Sequence, residues 1–242
     1  MSVLVEFNEV TKKYKDQIVV EKFSYSLKRG EVIALLGPSG CGKTTILNLT
    51  AGLTNRSTGL INLYTNEIGY VFQEPRLIPW KTVLENVLFA LKIGSKQEKV
   101  KKALSALAKV GLEKSVNQYP KELSGGMKQR VSFARALISN PKMILMDEPF
   151  SALDGSLKKE LQEEVISIIE AEEIGIVYVT HDPEEAVKIA DRVIMLEDKL
   201  CKVKKEVSFE RIRRKRDRHY IQQMKYELNE CIIGGQRYVE TI

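Results

Sequence analysis

The sequence predicts an α/β fold: a core built on a parallel sheet, preceded by an antiparallel β subdomain and interrupted by a helical subdomain. Three observations predict it. Val32-Ile33-Ala34-Leu35-Leu36 is a short, wholly apolar run, the mark of a strand buried on both faces. From Met143 to Leu196, similar runs alternate with helical patterns, the rhythm of βαβ units. Between Pro75 and about Glu122 the character changes to helical spacing.

The elements follow in order. Val3–Val5 with Phe7 predicts one strand, and Ile18–Val20 another, with Phe23, Tyr25 and Leu27 alternating behind it. Lys28-Arg29-Gly30-Glu31 reads as a turn into the buried run. A glycine-rich loop and a helix from Thr44 to about Ala51 come next, and Ile68–Phe72 is a further strand. Thr82–Leu91 and Glu98–Val110 read as helices; in the second, Val100, Leu104, Leu107 and Val110 recur at three and four. Met143–Met146, Ile176–Thr180 and Val193–Leu196 are strands, with an amphipathic helix marked by Leu157, Leu161, Val165, Ile168 and Ile169. Asp182-Pro183-Glu184-Glu185 opens another helix, with Asp as N-cap, Pro first and Glu third. The expected division is a core with its β subdomain over 1–74 and 123–200, a helical subdomain over 75–122 and a basic C-terminal tail over 201–242.

Composition narrows the function classes. At 242 residues and 43 % hydrophobic content, the chain has enough apolar material to bury a core. No apolar run nears the roughly 18 residues of a membrane span, and the N-terminus lacks a secretory pattern, so a cytosolic protein is expected. Cys41, Cys201 and Cys231 are scattered, with no CxxC pair, so neither a disulfide framework nor a zinc site is expected. The net charge is +6, yet residues 199–218 hold ten Lys or Arg against three acids, a local +7 that leaves the rest at −1. The excess belongs to one segment and is no nucleic-acid signature. That segment reads as a solvated helix or irregular end, with contact to anionic lipid or to a partner as alternatives.

Gly37-Pro38-Ser39-Gly40-Cys41-Gly42-Lys43-Thr44 matches GxxxxGK[ST] between a buried strand and a helix, the context of a phosphate-cradling loop in a P-loop NTPase core. The glycines let backbone N–H groups point inward, and the helix N-terminus adds partial positive charge. Lys43 is assigned to the β- and γ-phosphates, and the Thr44 hydroxyl to Mg²⁺. Cys41, beside Lys43 and a helix start, is expected to alkylate readily and to be protected by MgATP. Ile144-Leu145-Met146-Asp147-Glu148 carries two acids out of a strand, where a ligand crevice opens. Asp147 suits a metal role and Glu148 a general base for the attacking water. Thr180-His181-Asp182 repeats the pattern, with His181 placed to bond the γ-phosphate and position that water.

Leu123-Ser124-Gly125-Gly126-Met127-Lys128-Gln129-Arg130 resembles the ABC ATPase signature, and the resemblance extends over nearly the whole chain. Tyr14 looks like the aromatic residue that stacks on adenine, Gln73 like the Q-loop glutamine, Ser151-Ala152-Leu153-Asp154 like the D-loop and His181 like the switch histidine. The resemblance implies ATP and Mg²⁺ as cofactors. It implies nucleotide contacts from Tyr14, Gly37, Pro38, Ser39, Gly40, Cys41, Gly42, Lys43, Thr44 and Thr45. Further contacts come from Ser124, Gly125, Gly126 and Asp154, with the signature touching ATP on the other subunit. Thr44, Gln73 and Asp147 are the implied metal set; Glu148, His181 and Gln73 the catalytic one. Met127 stands where the commonest signature has glutamine, and LSGGM looks like the importers for nitrate, sulfonate or taurine. The implied partners are a second copy closing around ATP, transmembrane permease subunits and, indirectly, a periplasmic or extracellular solute-binding protein, with no nucleic acid. The implied location is the cytoplasmic face of the cell membrane. Gln73, Arg76 and Trp80 are candidates near the permease, although Leu77-Ile78-Pro79-Trp80 fits a small local core equally well. The short stretch from Gly59 to Ile68 is expected to trim a hairpin from the β subdomain. The alternative is a single-cassette ATPase outside transport, such as an iron–sulfur assembly ATPase.

Overall fold

The computed structural model describes residues 2–91, 93–197 and 200–233. Strands β1 (Val3–Tyr14) and β2 (Gln17–Lys28) form an antiparallel hairpin closed by Lys15, which takes a left-handed conformation (φ 52). Strand β3 (Val32–Leu36) leads into helix α1 (Lys43–Thr50). Strand β4 (Thr58–Leu63) pairs with β1 to complete a three-stranded sheet, and Tyr64–Glu67 then leads straight to β5 (Ile68–Val71). The short link expected between Gly59 and Ile68 thus carries one strand where a hairpin has two.

Helices α2 (Val83–Leu88) and α3 (Lys96–Lys109) each begin with a reciprocal capping box, Thr82 with Glu85 and Ser95 with Glu98. Each cap stabilises its helix by about 0.5–2 kcal/mol. Helix α4 (Gly125–Leu137), β6 (Met143–Asp147), α5 (Gly155–Glu172), β7 (Gly175–Thr180), α6 (Pro183–Ile189) and β8 (Arg192–Leu196) continue the βα alternation. Strand β9 (Val203–Ser208) and helix α7 (Arg218–Ile233) complete the described chain.

The main sheet has the order β5-β6-β7-β3-β8-β9. Its first five strands are parallel; β9 adds an antiparallel edge, so the expected parallel sheet is mixed. Both faces are covered, which accounts for the unbroken apolar runs. Along β3, Val32, Ala34 and Leu36 face a core shared with α2, α3, α4 and α5. Ile33 and Leu35 face a second core with α1 and the aromatic cluster Phe7, Phe23 and Tyr25 of the β1–β2 hairpin.

Residues 201–233, expected as a basic tail, fold onto this frame. Phe209, Arg216 and Leu228 are buried, and α7 lays Ile221, Met224, Leu228 and Cys231 against the core at helical spacing. Most of the charges point outward, Arg213 and Arg216 turn inward onto Asp191 and the carbonyls of Val187 and Ala190, and a thin apolar stripe drives docking, so net charge is a poor guide to packing. Residues 234–242 of the expected tail lie outside the described residues.

Candidate functional site

The sheet delivers the candidate residues to one edge. Strands β5, β6, β7 and β3 are consecutive neighbours and parallel, so the chain leaves all four on the same side, the carboxyl edge where open α/β sheets bind ligands. Gln73 follows β5, Asp147 ends β6 and Glu148 follows it, His181 follows β7, and Gly37 opens the loop after β3. The register is tight: Val71 pairs with Met146, Asp147 with Val179, and Thr180 with Leu36.

In the loop, Pro38, Ser39 and Gly40 are exposed, while Lys43, Thr44 and Thr45 make the first turn of α1. Gly42 caps that helix at φ 108, and a Cβ there would lie 2.9 Å from Val19 Cγ1 and 3.0 Å from Val19 O. Conformation and space both require glycine. Lys43 is buried, and its Nζ donates to Gly37 O and Pro38 O, each at 2.7 Å. Its ammonium is thereby held on the loop's own carbonyls, within the turn that a phosphate would enter. Cys41 is only 1 % exposed and sits in the core against Cys201. This corrects the expectation of ready alkylation: charge favours a reactive thiol there, but access does not.

Thr44 Oγ1 donates to Asp147 Oδ2 at 2.9 Å and Oδ1 at 3.1 Å. Burial holds the Asp147 carboxyl above its ordinary range; the Thr44 bond opposes that shift and the neighbouring Glu148 charge adds to it. A hydroxyl and a carboxylate in contact are two hard oxygen donors. That pair fits Mg²⁺, which keeps several waters and needs only one or two carboxylates. Among the described residues no cluster of three or more His, Cys, Asp or Glu forms a fuller metal cage.

Glu148 takes the left-handed conformation (φ 42) in the turn leaving β6. Such a conformation costs about 1–3 kcal/mol and persists only where neighbours fix it. Here Glu148 N donates to Val179 O at 3.2 Å, and Ser151 Oγ donates to Glu148 O at 2.9 Å. The turn brings Glu148 Oε2 to 3.2 Å from His181 Nδ1; the glutamate side chain is mostly buried and the histidine 58 % exposed.

Behind His181 lies a polar network that sequence reasoning missed. Asp182 caps α6 through the amides of Glu184 and Glu185. Glu185, expected to serve the capping pattern, instead turns inward: it accepts from Thr180 Oγ1 and Gln162 Nε2 and pairs with Lys158 at 2.9 Å. Burial pushes the Asp182 carboxyl up, but the Lys158 ammonium at 3.0 Å outweighs it and leaves the group below its ordinary range. Lys158 lies on an otherwise solvated helical face, so no local signal marked it.

A second cluster is separate in the chain. Ser124 caps α4, its Oγ accepting from Met127 N at 3.3 Å, so the helix starts at Gly125. A Cβ on Gly126 would lie 2.8 Å from Leu157 Cγ, so Gly126 packs on the start of α5, while Gly125 faces open space. Asp154 caps that helix through Leu157 N at 3.4 Å. Met127 packs against the apolar core, occupying the signature's variant position with a hydrophobic contact. The capping bonds of Ser124 and Asp154 stay within their own helix starts.

Other candidates stand at the rim. Tyr14 is 46 % exposed at the end of β1, with Lys12 Nζ 4.5 Å from its ring centroid. Gln73 is exposed. Arg76, read as a membrane-side residue, stacks its guanidinium 4.3 Å from the Phe72 ring and lies close enough to Asp147 to favour that residue's ionised form. Leu77 packs on the core while Trp80 is 77 % exposed, so the Leu77–Trp80 stretch divides between interior and surface.

Comparisons agree with this geometry. A family model described as "ABC transporter" matches residues 20–151. The aliphatic sulfonates import ATP-binding protein SsuB of a Bacillus cereus strain is 40 % identical over 216 residues, covering 84 % of this chain and 85 % of that one. SsuB 1 of a Pseudomonas aeruginosa strain is 39 % identical over 250 residues, covering 98 % of each. Among solved structures, the ATP-binding cassette MJ0796, a dimer in a post-hydrolysis state bound to ADP and Pi, superposes with a TM-score of 0.76 at 34 % identity. That match covers 86 % of this chain and all of the other.

Proposed function

The chain belongs to the ABC transporter family as an ATP-binding, ATP-hydrolysing subunit, and from that premise we propose that it energises bacterial import of a small organic anion of the sulfonate class. The observation that carries this reading is the convergence of Lys43, Thr44, Asp147, Glu148 and His181 at one sheet edge, with Ser124–Gly126 and Asp154 gathered in a second cluster. Each cluster is half of a site. Two copies arranged head to tail would set the second cluster of one against the phosphate loop of the other, giving two composite sites and a homodimer held by ATP.

In this reading the loop amides and Lys43 bind the phosphates, Tyr14 stacks on adenine, and Asp154 lies at the junction between copies. Thr44 and Asp147, with Gln73, would hold Mg²⁺, which would supply charge neutralisation for the phosphates. Glu148 accepts a proton from the attacking water, and His181 orients the γ-phosphate and the Glu148 carboxylate through the contact at 3.2 Å. Residues 75–122 act as the helical subdomain beside a transmembrane permease, with exposed Trp80 and Phe89 offering apolar contact. A solute-binding protein would deliver the anion from outside, and the subunit would sit peripherally on the cytoplasmic face of the membrane. Among the described residues, no helix is long and apolar enough to cross a membrane. The two SsuB relatives are import ATPases, which favours this reading over an iron–sulfur assembly role.

The test is association of Glu148→Gln protein in analytical ultracentrifugation. With ATP and Mg²⁺ it should sediment as a dimer, and without nucleotide as a monomer. A monomer under both conditions at all accessible concentrations overturns the composite site. For the solute class, deleting the gene should abolish growth on an alkanesulfonate as sole sulfur source and leave growth on sulfate intact.

A further inference from the structure

We propose that Cys41 and Cys201 form a redox-modification site, a thiol pair behind the phosphate loop that a peroxide converts to a disulfide, stopping ATP turnover. The effect on turnover rests on the reading of residues 37–44 as the nucleotide loop; formation of the bond does not.

The two residues are far apart in sequence and meet only through the fold. Cys41 is 1 % exposed and Cys201 fully buried, in one apolar cluster, and the neighbouring Cys41 thiol together with burial pushes the Cys201 thiol up. Both press on the glycines of the loop: a Cβ on Gly37 would lie 3.2 Å from Cys41 Sγ, and one on Gly42 would lie 3.1 Å from Cys201 Cβ. Cys201 is itself anchored. Its N–H donates to Val19 O at 2.9 Å, and it bridges to Val20 of β2. A disulfide here would therefore tie the loop to a strand of the β subdomain. Cysteines packed against the same loop are placed for a disulfide, which needs their Cα atoms within about 7 Å. The third cysteine, Cys231, lies on α7 beside Lys205 Nζ at 3.3 Å and has no part in the pair.

The step balances with one molecule of hydrogen peroxide. The Cys41 thiol gives up its proton and its thiolate attacks a peroxide oxygen; the O–O bond breaks, sulfenic acid forms, and the departing hydroxide takes up that same proton and leaves as water, while Cys201 keeps its proton for the next step. The Cys201 sulfur then attacks the sulfenic sulfur, expelling a second water and closing the S–S bond. Both thiols are buried, so the reaction proceeds when the loop opens and slows when nucleotide holds it. With Cys41 tied to Cys201, the turn bearing Gly40 and Gly42, both at positive φ, cannot rearrange around a triphosphate.

The experiment treats reduced, full-length protein with hydrogen peroxide. Non-reducing peptide mass spectrometry should reveal a Cys41–Cys201 linked pair. ATPase activity should fall by more than about tenfold and return with dithiothreitol. Cys201→Ser should keep its activity through the same treatment, with Cys201→Ala as the second variant if serine disturbs the buried site. Cys231→Ser should respond like the parent. Absence of the linked peptide overturns the site, as does equal peroxide sensitivity of both Cys201 variants. A linked peptide with undiminished turnover overturns the effect on activity. Protein that never hydrolyses ATP when reduced would refute the nucleotide reading while leaving the linked peptide as an independent result.

Discussion

Glu148 Oε2 and His181 Nδ1 lie 3.2 Å apart across the ends of two adjacent parallel strands. The contact orients a carboxylate that a strained turn already points at the site. Replacing His181 by Ala should lower kcat by roughly 10²–10⁴ while ATP affinity stays within about threefold, since the phosphate loop is untouched. Steady-state kinetics with nucleotide-binding titrations checks this; a kcat near the parent's would remove His181 from the chemistry.

Thr44 is the hydroxyl partner of Asp147. Thr44→Val removes the hydrogen bonding that, ahead of the Lys43 and Arg76 charges, pulls the Asp147 carboxyl down against its burial, so its ionised form is further disfavoured. The Mg²⁺ concentration for half-maximal ATPase activity should rise by about tenfold or more, and Thr44→Ser should restore it. An unchanged magnesium titration would separate this pair from the metal.

Gly42 and Gly40 allow a controlled comparison within one loop. Both have positive φ, but a Cβ on Gly42 meets Val19 and Cys201, whereas one on Gly40 meets nothing within 4 Å. Gly42→Ala should cost about 1–3 kcal/mol more in stability than Gly40→Ala. Urea denaturation of the two variants measures the difference directly.

Glu184 receives Lys188 Nζ at 2.7 Å and Lys225 Nζ at 2.8 Å, and these bonds bring its carboxyl down to about 2 from an ordinary 4.5. The folded pKa lies below the unfolded one, so the stabilisation is complete above about pH 4.5 and is withdrawn as pH falls toward 2. Thermal melts of the parent should lose stability across that window more steeply than those of Glu184→Gln. Parallel curves would show that the two bonds contribute nothing.

Elements with strong local periodicity were readable from the chain. The run at 32–36 and the strands before Glu148 and His181 sit within a residue or two of expectation, because strands buried on both faces tolerate nothing polar. The phosphate loop was legible because each of its residue types answers a separate constraint. Partnerships between distant residues were not. Nothing in the local pattern around Glu185 distinguishes a glutamate that caps a helix from one that turns inward to Thr180 and Lys158. The pairing of Cys41 with Cys201 depends on how β2 and the β8–β9 connection meet. The segment after residue 200 misled because its charge count hid four apolar residues at helical spacing on α7.

The short helix that begins two residues after His181 is gripped at both extremities by the C-terminal segment. Arg216 donates to the carbonyls of Val187 and Ala190 at its far end, and Lys225 holds Glu184 in its first turn. A two-turn cylinder clamped this way is expected to travel with the terminal helix, so a ligand that seizes that helix from outside should be felt at the histidine.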